Sequence, residues 1–376
     1  MYEGLSPEQK RDWISLFTLS GIGHATIIKL VNYFGKPSRI LKATRVELEV
    51  IPWLSPSKIL AILKGVSKEQ VDDIINTLNK LNTNVLTFND PEYPKSLRDI
   101  SFPPSILFFR GNIELLSDTC LAVVGTRRFS PYGRNVSALL SKSLVENGIV
   151  VVSGLAKGID TFCHDAVLQN NGKTVAVKGC GIDVYYPREN KALEEAIAKK
   201  GLVITEFLPG AQPESHNFPM RNRLISGISK GIVVIEAARK SGALITAHYA
   251  LDQGKSVMAI PGSIFSETSK GCNWLIKQGA ILVDDIQDIL NELNFETRFE
   301  SFGSPLPEIS KIEDILSELT EEEKSILDAI ADSSVYIDDI SEKTNIPITK
   351  ILSALTQMEL KDLVETLPGQ FYKRAF

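Results

Sequence analysis

Apolar residues recur along this chain in three different rhythms. From residue 1 to about 84 they fall at helical spacing, in Asp12 to Leu19, Ala25 to Phe34 and Ser57 to Lys64, which predicts a run of helices. From Cys120 to Asp285 they come instead as seven short, near-continuous runs: Leu121 to Val124, Ile149 to Val152, Thr174 to Val177, Leu202 to Thr205, Ile232 to Ile235, Ser256 to Ile260 and Ala280 to Val283. Amphipathic stretches such as Val136 to Glu146, Lys191 to Lys199 and Ala243 to Leu251 separate them. Short Val/Ile runs joined through helices are strands covered on both faces, so this region predicts a doubly wound, mostly parallel Rossmann-like α/β sheet. The last rhythm places helices around Glu321 to Ala331, Ile337 to Lys343 and Thr349 to Lys361, then an apolar hairpin with Pro368-Gly369 at its tip. Three short helices and a two-stranded wing form a winged helix-turn-helix.

Proline and charge mark the seams. Residues 85–112 carry Tyr93-Pro94 and Phe102-Pro103-Pro104, which prohibit a long helix, and Ile106 to Phe109 reads as a strand. The Phe and Leu content suits a lead-in that packs on the next domain. Residues 291–318 are acidic, hold Gly303, Pro305 and Pro307, and read as a linker. The expected organisation is therefore a helical module over 1–84, a Rossmann-like core with its lead-in over 85–290, an acidic linker over 291–318 and a winged helix over 319–376.

The net charge of −5 argues at first against a nucleic-acid partner. Its distribution reverses that argument. Residues 319–376 carry 11 acids and 6 bases, and residues 291–318 carry 7 acids and 2 bases, which leaves 28 acids and 33 bases in residues 1–290. A basic groove in the body is thus compatible with an acidic whole. The winged helix is acidic, and its third helix sets only Lys350 and Lys361 against Glu359 and Asp362, so a protein-docking or regulatory role suits it better than duplex binding. No apolar run reaches the ~18 residues of a membrane span, and the first ten residues lack a secretory pattern, so a cytoplasmic location without a membrane partner is expected. Cys120, Cys163, Cys180 and Cys272 are too scattered for a metal site and read as buried thiols.

Each strand of a parallel sheet ends on the edge where open α/β sheets bind ligands. Gly125-Thr126-Arg127-Arg128 follows the first, and Ser153-Gly154 with Lys157 and Gly158 the second. Asp183, Tyr186, Arg188 and Lys191 follow the third, and Phe218-Pro219-Met220-Arg221-Asn222-Arg223 comes after the fourth. Glu236 and Ser241-Gly242 follow the fifth. The dinucleotide fingerprint needs Gly-x-Gly-x-x-Gly after the first strand, and the turn here has one glycine and two arginines, so no cofactor is expected. Glycine turns and helix N-termini aim N–H groups at anions, and a row of such sites suits a chain of phosphates. Phe129, Tyr132, Tyr185, Tyr186 and Phe218 nearby would together suit base stacking, although core packing is the better explanation for any one of them taken alone. In the helical module, Ser20-Gly21-Ile22-Gly23-His24-Ala25 resembles a helix-hairpin-helix turn that offers N–H groups to a phosphate. A tight turn in a plain helical module is the alternative.

Gly125-Thr126-Arg127, Ser153 to Asp160, Gly181 to Pro187, Phe218 to Arg223, Ser241 to Ala247 and Pro261-Gly262-Ser263 stand in an order that resembles the bacterial DNA-processing protein family DprA (Smf). That resemblance implies a non-enzymatic protein that binds single-stranded DNA in natural transformation, protects it, helps load a RecA-type recombinase and dimerises through its core. It implies DNA contacts at Arg127, Ser153, Gly154, Lys191, Arg221, Asn222 and Arg223, to which the strand-end turns add Gly125, Thr126, Arg128, Lys157, Arg188, Ser241 and Gly242 as expected contacts. The rival is a nucleotide-processing hydrolase on a related fold, in which Glu206 or Glu236 would act as acid or base if a substrate reached them.

Overall fold

Nine strands form one sheet in the computed structural model, which describes residues 5–293, 319–330, 335–344, 346–360, 363–367 and 371–374. They are β1 (Asn84–Thr87), β2 (Ile106–Gly111), β3 (Cys120–Val124), β4 (Val150–Ser153), β5 (Thr174–Val177), β6 (Leu202–Thr205), β7 (Gly231–Val234), β8 (Ser256–Ala259) and β9 (Ile281–Leu282). Their order is β1-β2-β6-β5-β4-β3-β7-β8-β9. From β6 through β9 every pairing is parallel, whereas β1 and β2 add an antiparallel pair at one end. The seven predicted strands are thus present, each within one or two residues of its predicted bounds. The Pro-rich lead-in does more than pack on the core: β2 extends the sheet, with Phe109 opposite Ile204.

The module before the sheet holds α1 (Pro7–Thr18), α2 (His24–Phe34), α3 (Pro37–Leu41), α4 (Arg45–Glu49), α5 (Pro56–Lys64) and α6 (Lys68–Lys80). After the short α7 (Lys95–Arg98), the sheet is covered by α8 (Pro131–Glu146), α9 (Ile159–Gln169), α10 (Lys191–Lys200), α11 (Asn217–Ile228), α12 (Gly242–Asp252), α13 (Lys270–Lys277) and α14 (Ile286–Glu292). Strand alternation sends successive side chains to opposite faces. Ala122 and Val124 meet Leu224 and Ile225 of α11 and Ala247 of α12, while Leu121 and Val123 meet Leu144 of α8 and Cys163 of α9. Ile106 and Phe108 share a third core with Leu16, Ile27 and Leu30 of the helical module. The module is therefore seated on the sheet through common apolar contacts, and Met1–Thr297 forms one compact unit. All four cysteines are buried and free.

Arg110 of β2 fixes the antiparallel end of the sheet to α10. Its Nη1 and Nη2 donate to the two carboxylate oxygens of Glu195 at 2.8 and 2.7 Å, and Tyr185 donates to the same carboxylate at 2.7 Å. The Arg110 hydrogen bonds hold the Glu195 carboxyl down to about 2, against an ordinary value near 4.5. A folded-state value below the unfolded one contributes stability at pH above the unfolded value, and that contribution is lost as pH falls toward the folded value. Glu195→Gln is accordingly expected to lower stability by about 1 kcal/mol at pH 7 and by progressively less below pH 4.5, the gap closing near pH 2. Chemical denaturation of both proteins across that range checks it.

The second unit, Arg298–Phe376, holds helices Glu321–Ala329, Ile337–Thr344 and Ile348–Leu360 and a three-stranded sheet in which Phe371–Arg374 lies between Val335–Tyr336 and Val364–Leu367. Ile326, Ile340, Ile351, Leu355 and Met358 form its core. This is the winged helix that the periodicity predicts, although the expected hairpin tip at Pro368-Gly369 and most of the acidic linker lie outside the described residues. No helix among the described residues is long and apolar enough to cross a membrane.

Candidate nucleic-acid interface

The strand order reverses beside β3. The chain moves outward through β4, β5 and β6, then returns so that β7 pairs with the free side of β3 and β8 and β9 continue the other way. Connections leaving β3 and β7 in opposite directions open a crevice beyond their carboxyl ends. A cleft of about 460 Å³ lies there. Gly125 to Arg128 line it after β3, Ala156 and Asp160 after β4, and Lys240 to Ala243 after β7. The last of these segments opens α12, where the Ser241 hydroxyl accepts from the Ala243 N–H at 3.3 Å. The positive end of an eleven-residue helix therefore borders the cleft.

The remaining wall is the first turn of α11, with Phe218, Pro219, Arg221 and Asn222. Arg221 is buried, and its guanidinium donates to Gly154 O at 2.7 Å and to Val177 O, joining α11 to the ends of β4 and β5. Asp160 sits close by, accepting from the N–H groups of Gly154 and Ala156 at 3.1 and 3.4 Å. Burial raises the Asp160 carboxyl, against the pull of the Arg221 charge and those backbone donors. Burial likewise draws Arg221 down to about 10, which leaves it protonated at neutral pH. Glycine is required at 154 because a Cβ would stand 2.7 Å from Arg221 Nη2 and 2.8 Å from Asp160 Oδ2. At Gly158, φ is +85° and a Cβ would meet Thr126 O at 2.5 Å, so this glycine lets the β3 and β4 turns close on each other.

Above this framework stands exposed chemistry. The Arg127 guanidinium lies 5.3 Å from the centre of the Phe218 ring and that of Arg221 5.9 Å, with the Tyr186 ring centre 5.3 Å away. A half-buried aromatic ring beside the exposed Arg127 suits a planar base attached to a phosphate. Among the described residues none forms an ion pair with Arg127, Arg128 or Lys240, so their charge is open to a ligand.

Of the sequence-predicted residues, Gly125, Thr126, Arg127, Arg128, Arg221, Asn222, Ser241 and Gly242 come together in the cleft. Ser153 is buried and donates to Val123 O at 2.6 Å, and Gly154 spends its N–H on Asp160. Lys157, Arg188 and Lys191 occupy the adjoining edge beyond β4 and β5, where Lys157 pairs with Glu189 and Lys191 stands 4.9 Å from the Tyr185 ring centre. Arg223 points away from the cleft and pairs with buried Glu206. Lys240 and Asp160 line the site without having been singled out; Lys240 directly precedes the Ser241-Gly242 turn, which was the available signal. The two glutamates of the hydrolase reading do not line the cleft. Glu236 accepts from Ser130 Oγ and Thr268 Oγ1, each at 2.7 Å, and Glu206 is held by Arg223 and by His24 Nε2 at 3.0 Å. Burial resists ionisation of Glu206, but the His24 hydrogen bond and the Arg223 charge together outweigh it and keep the carboxyl low.

Residues 84–294, which contain this whole site, match the family model of DNA recombination-mediator protein A. The chain belongs to that family. Residues 313–370 match the DprA winged helix domain as well. This DprA-family chain is 32% identical to Protein Smf of Escherichia coli over 96% of its own length and 95% of that protein's. It is 48% identical to the DNA processing protein DprA of Streptococcus pneumoniae, over 55% of this chain and 73% of that one. The X-ray structure of DprA from Streptococcus pneumoniae superposes with a TM-score of 0.67 at 36% identity, covering 77% of this chain and 98% of that chain. DNA processing protein A from Helicobacter pylori, whose structure was described for its single-stranded DNA binding mode, aligns at 31% identity with a TM-score of 0.51, over 56% of this chain and 95% of that chain.

Proposed function

We propose that this DprA-family chain binds single-stranded DNA through the cleft at the β3/β7 switch point, protects incoming DNA in natural transformation and helps load a RecA-type recombinase. It acts as a cytoplasmic homodimer and performs no chemistry on the strand. The observation that carries the reading is the exposed Arg127 guanidinium beside the Phe218 ring, next to two glycine turns and the start of α12. That arrangement supplies phosphate neutralisation and stacking and leaves the base edge unread, as binding without sequence preference requires. The Helicobacter pylori relative's DNA binding supports the same reading. The hydrolase alternative has less support, because the carboxylate that borders the cleft, Asp160, is committed to backbone N–H groups.

Two measurements test this. Affinity for an oligothymidylate should fall with salt, the logarithmic slope being about −2 for the three exposed cations Arg127, Arg128 and Lys240, at ~0.7 per phosphate neutralised. A slope near zero would rule out phosphate recognition here. Incubation of the purified protein with nucleoside monophosphates should release no base or sugar phosphate, and sustained turnover would favour the hydrolase.

A further inference from the structure

A second cavity, of about 470 Å³, lies where the helical module meets the α11–α12 layer, outside the strand-end cleft. The first turn of α2, Gly23 to Thr26, forms one wall. The N-cap of that eleven-residue helix is Gly23, which has no side chain to cap it, so the positive helix end stands at the cavity without a side-chain cap. Lys58 adds charge at the same wall, its Nζ donating to Thr26 Oγ1 at 2.8 Å. A second observation is independent of the helix. Arg223 lines the cavity and is only 6% exposed; its Nη2 is held by Glu206, while its Nη1 is buried without a hydrogen-bond partner. A buried charged donor lacking an acceptor is costly, and an anion entering beside it would relieve that cost.

The opposite wall is apolar and open. Phe102 is 67% and Met220 46% exposed, with Tyr249 beside them. An anion-favouring helix end across from an aromatic wall fits a nucleotide, phosphate to one side and base to the other. The two cavities share their dividing helices. Along α11, Phe218, Arg221 and Asn222 face the first cleft and Met220 and Arg223 the second; along α12, Thr246 lines the first and Tyr249, three residues on, the second.

We propose that this cavity is a second station for the same DNA strand, holding one nucleotide with its base against Phe102, Met220 and Tyr249 and its phosphate at the start of α2 within reach of Arg223. The inference rests on the single-strand reading of the first cleft and gives the Gly21-Ile22-Gly23 turn of the helical module a ligand.

The test uses the full chain and oligothymidylates of about 6 and about 20 nucleotides, which bracket the site sizes of single-strand modules. Ala25 is exposed, so Ala25→Glu sets a carboxylate at the helix start without disturbing the core, and Ala25→Gln controls for size. Ala25→Glu should weaken the longer oligonucleotide roughly tenfold while leaving the shorter unchanged, and Ala25→Gln should leave both near wild type. The longer oligonucleotide should also quench the fluorescence of a Phe102→Trp variant. Wild-type affinity of Ala25→Glu at both lengths, or equal loss at both, overturns the second station. If Arg127→Glu loses binding while Ala25→Glu does not, this inference alone fails; if wild-type protein binds neither oligonucleotide, the reading of the first cleft fails with it. Quenching by thymidine monophosphate without any strand would assign the cavity to a free nucleotide and overturn the strand proposal.

Discussion

Arg127→Glu is expected to weaken single-stranded DNA binding about a hundredfold in low-salt anisotropy titrations, with no change in thermal midpoint. The size follows from losing one charge-assisted contact, about 1.5–3 kcal/mol, and adding repulsion at the same spot, where ~1.4 kcal/mol is a factor of ten. The unchanged midpoint follows from exposure: the Arg127 side chain stands free over Phe218 and no buried partner loses its charge when it is replaced. Arg127→Lys should recover most of the affinity, because the phosphate contact is largely that of a point charge, and fall short by what the planar guanidinium adds over the ring. Unaltered affinity in Arg127→Glu would remove the cleft as the DNA site.

Arg221→Met is expected to act on the fold. Arg221 joins two strand ends through Gly154 O and Val177 O and offsets the buried charge of Asp160. Breaking such an arrangement from one side typically costs about 3–5 kcal/mol, since the remaining charge stays buried and unpaired. In a unit of this size that lowers the melting midpoint by roughly 10 °C. Adding Asp160→Asn should restore part of the loss, which calorimetry of the single and double variants measures. A midpoint equal to wild type combined with lost DNA binding would make Arg221 a ligand contact instead of a strut. The distinction matters because the two arginines lie in motifs that look equivalent in the sequence, each an arginine in a turn beyond a strand.

That equivalence marks how far the sequence could be read. The strands from Cys120 onward were legible because parallel strands are apolar on both faces and too short to be helices, so the pattern has one solution. The winged helix was legible for a similar reason, its three helical patterns being closely spaced. The antiparallel addition of β1 and β2 to the sheet was not, since pairing between β2 and β6 spans nearly a hundred residues and the local text marks Ile106 to Phe109 as a strand without naming its partner. Within the site, glycine turns told where the backbone would approach an anion. They did not tell that Ser153 would be turned inward to Val123 O, or that Arg223 would cross to Glu206, which His24 also holds.

The sequence by itself determined the fold class, the family motifs and the edge of the sheet that carries them, because strand periodicity and glycine turns are local properties. The tertiary structure decided which basic residues are free to meet a ligand. Along α11, a helical pitch of 3.6 residues separates Arg221 from Arg223 by about 200°, so one borders the cleft as a buried strut and the other, held by Glu206, lines a second cavity. Arg127 remains exposed because its turn projects beyond β3 and finds no ion-pair partner among the described residues, a fact of packing that no reading of residue order contains.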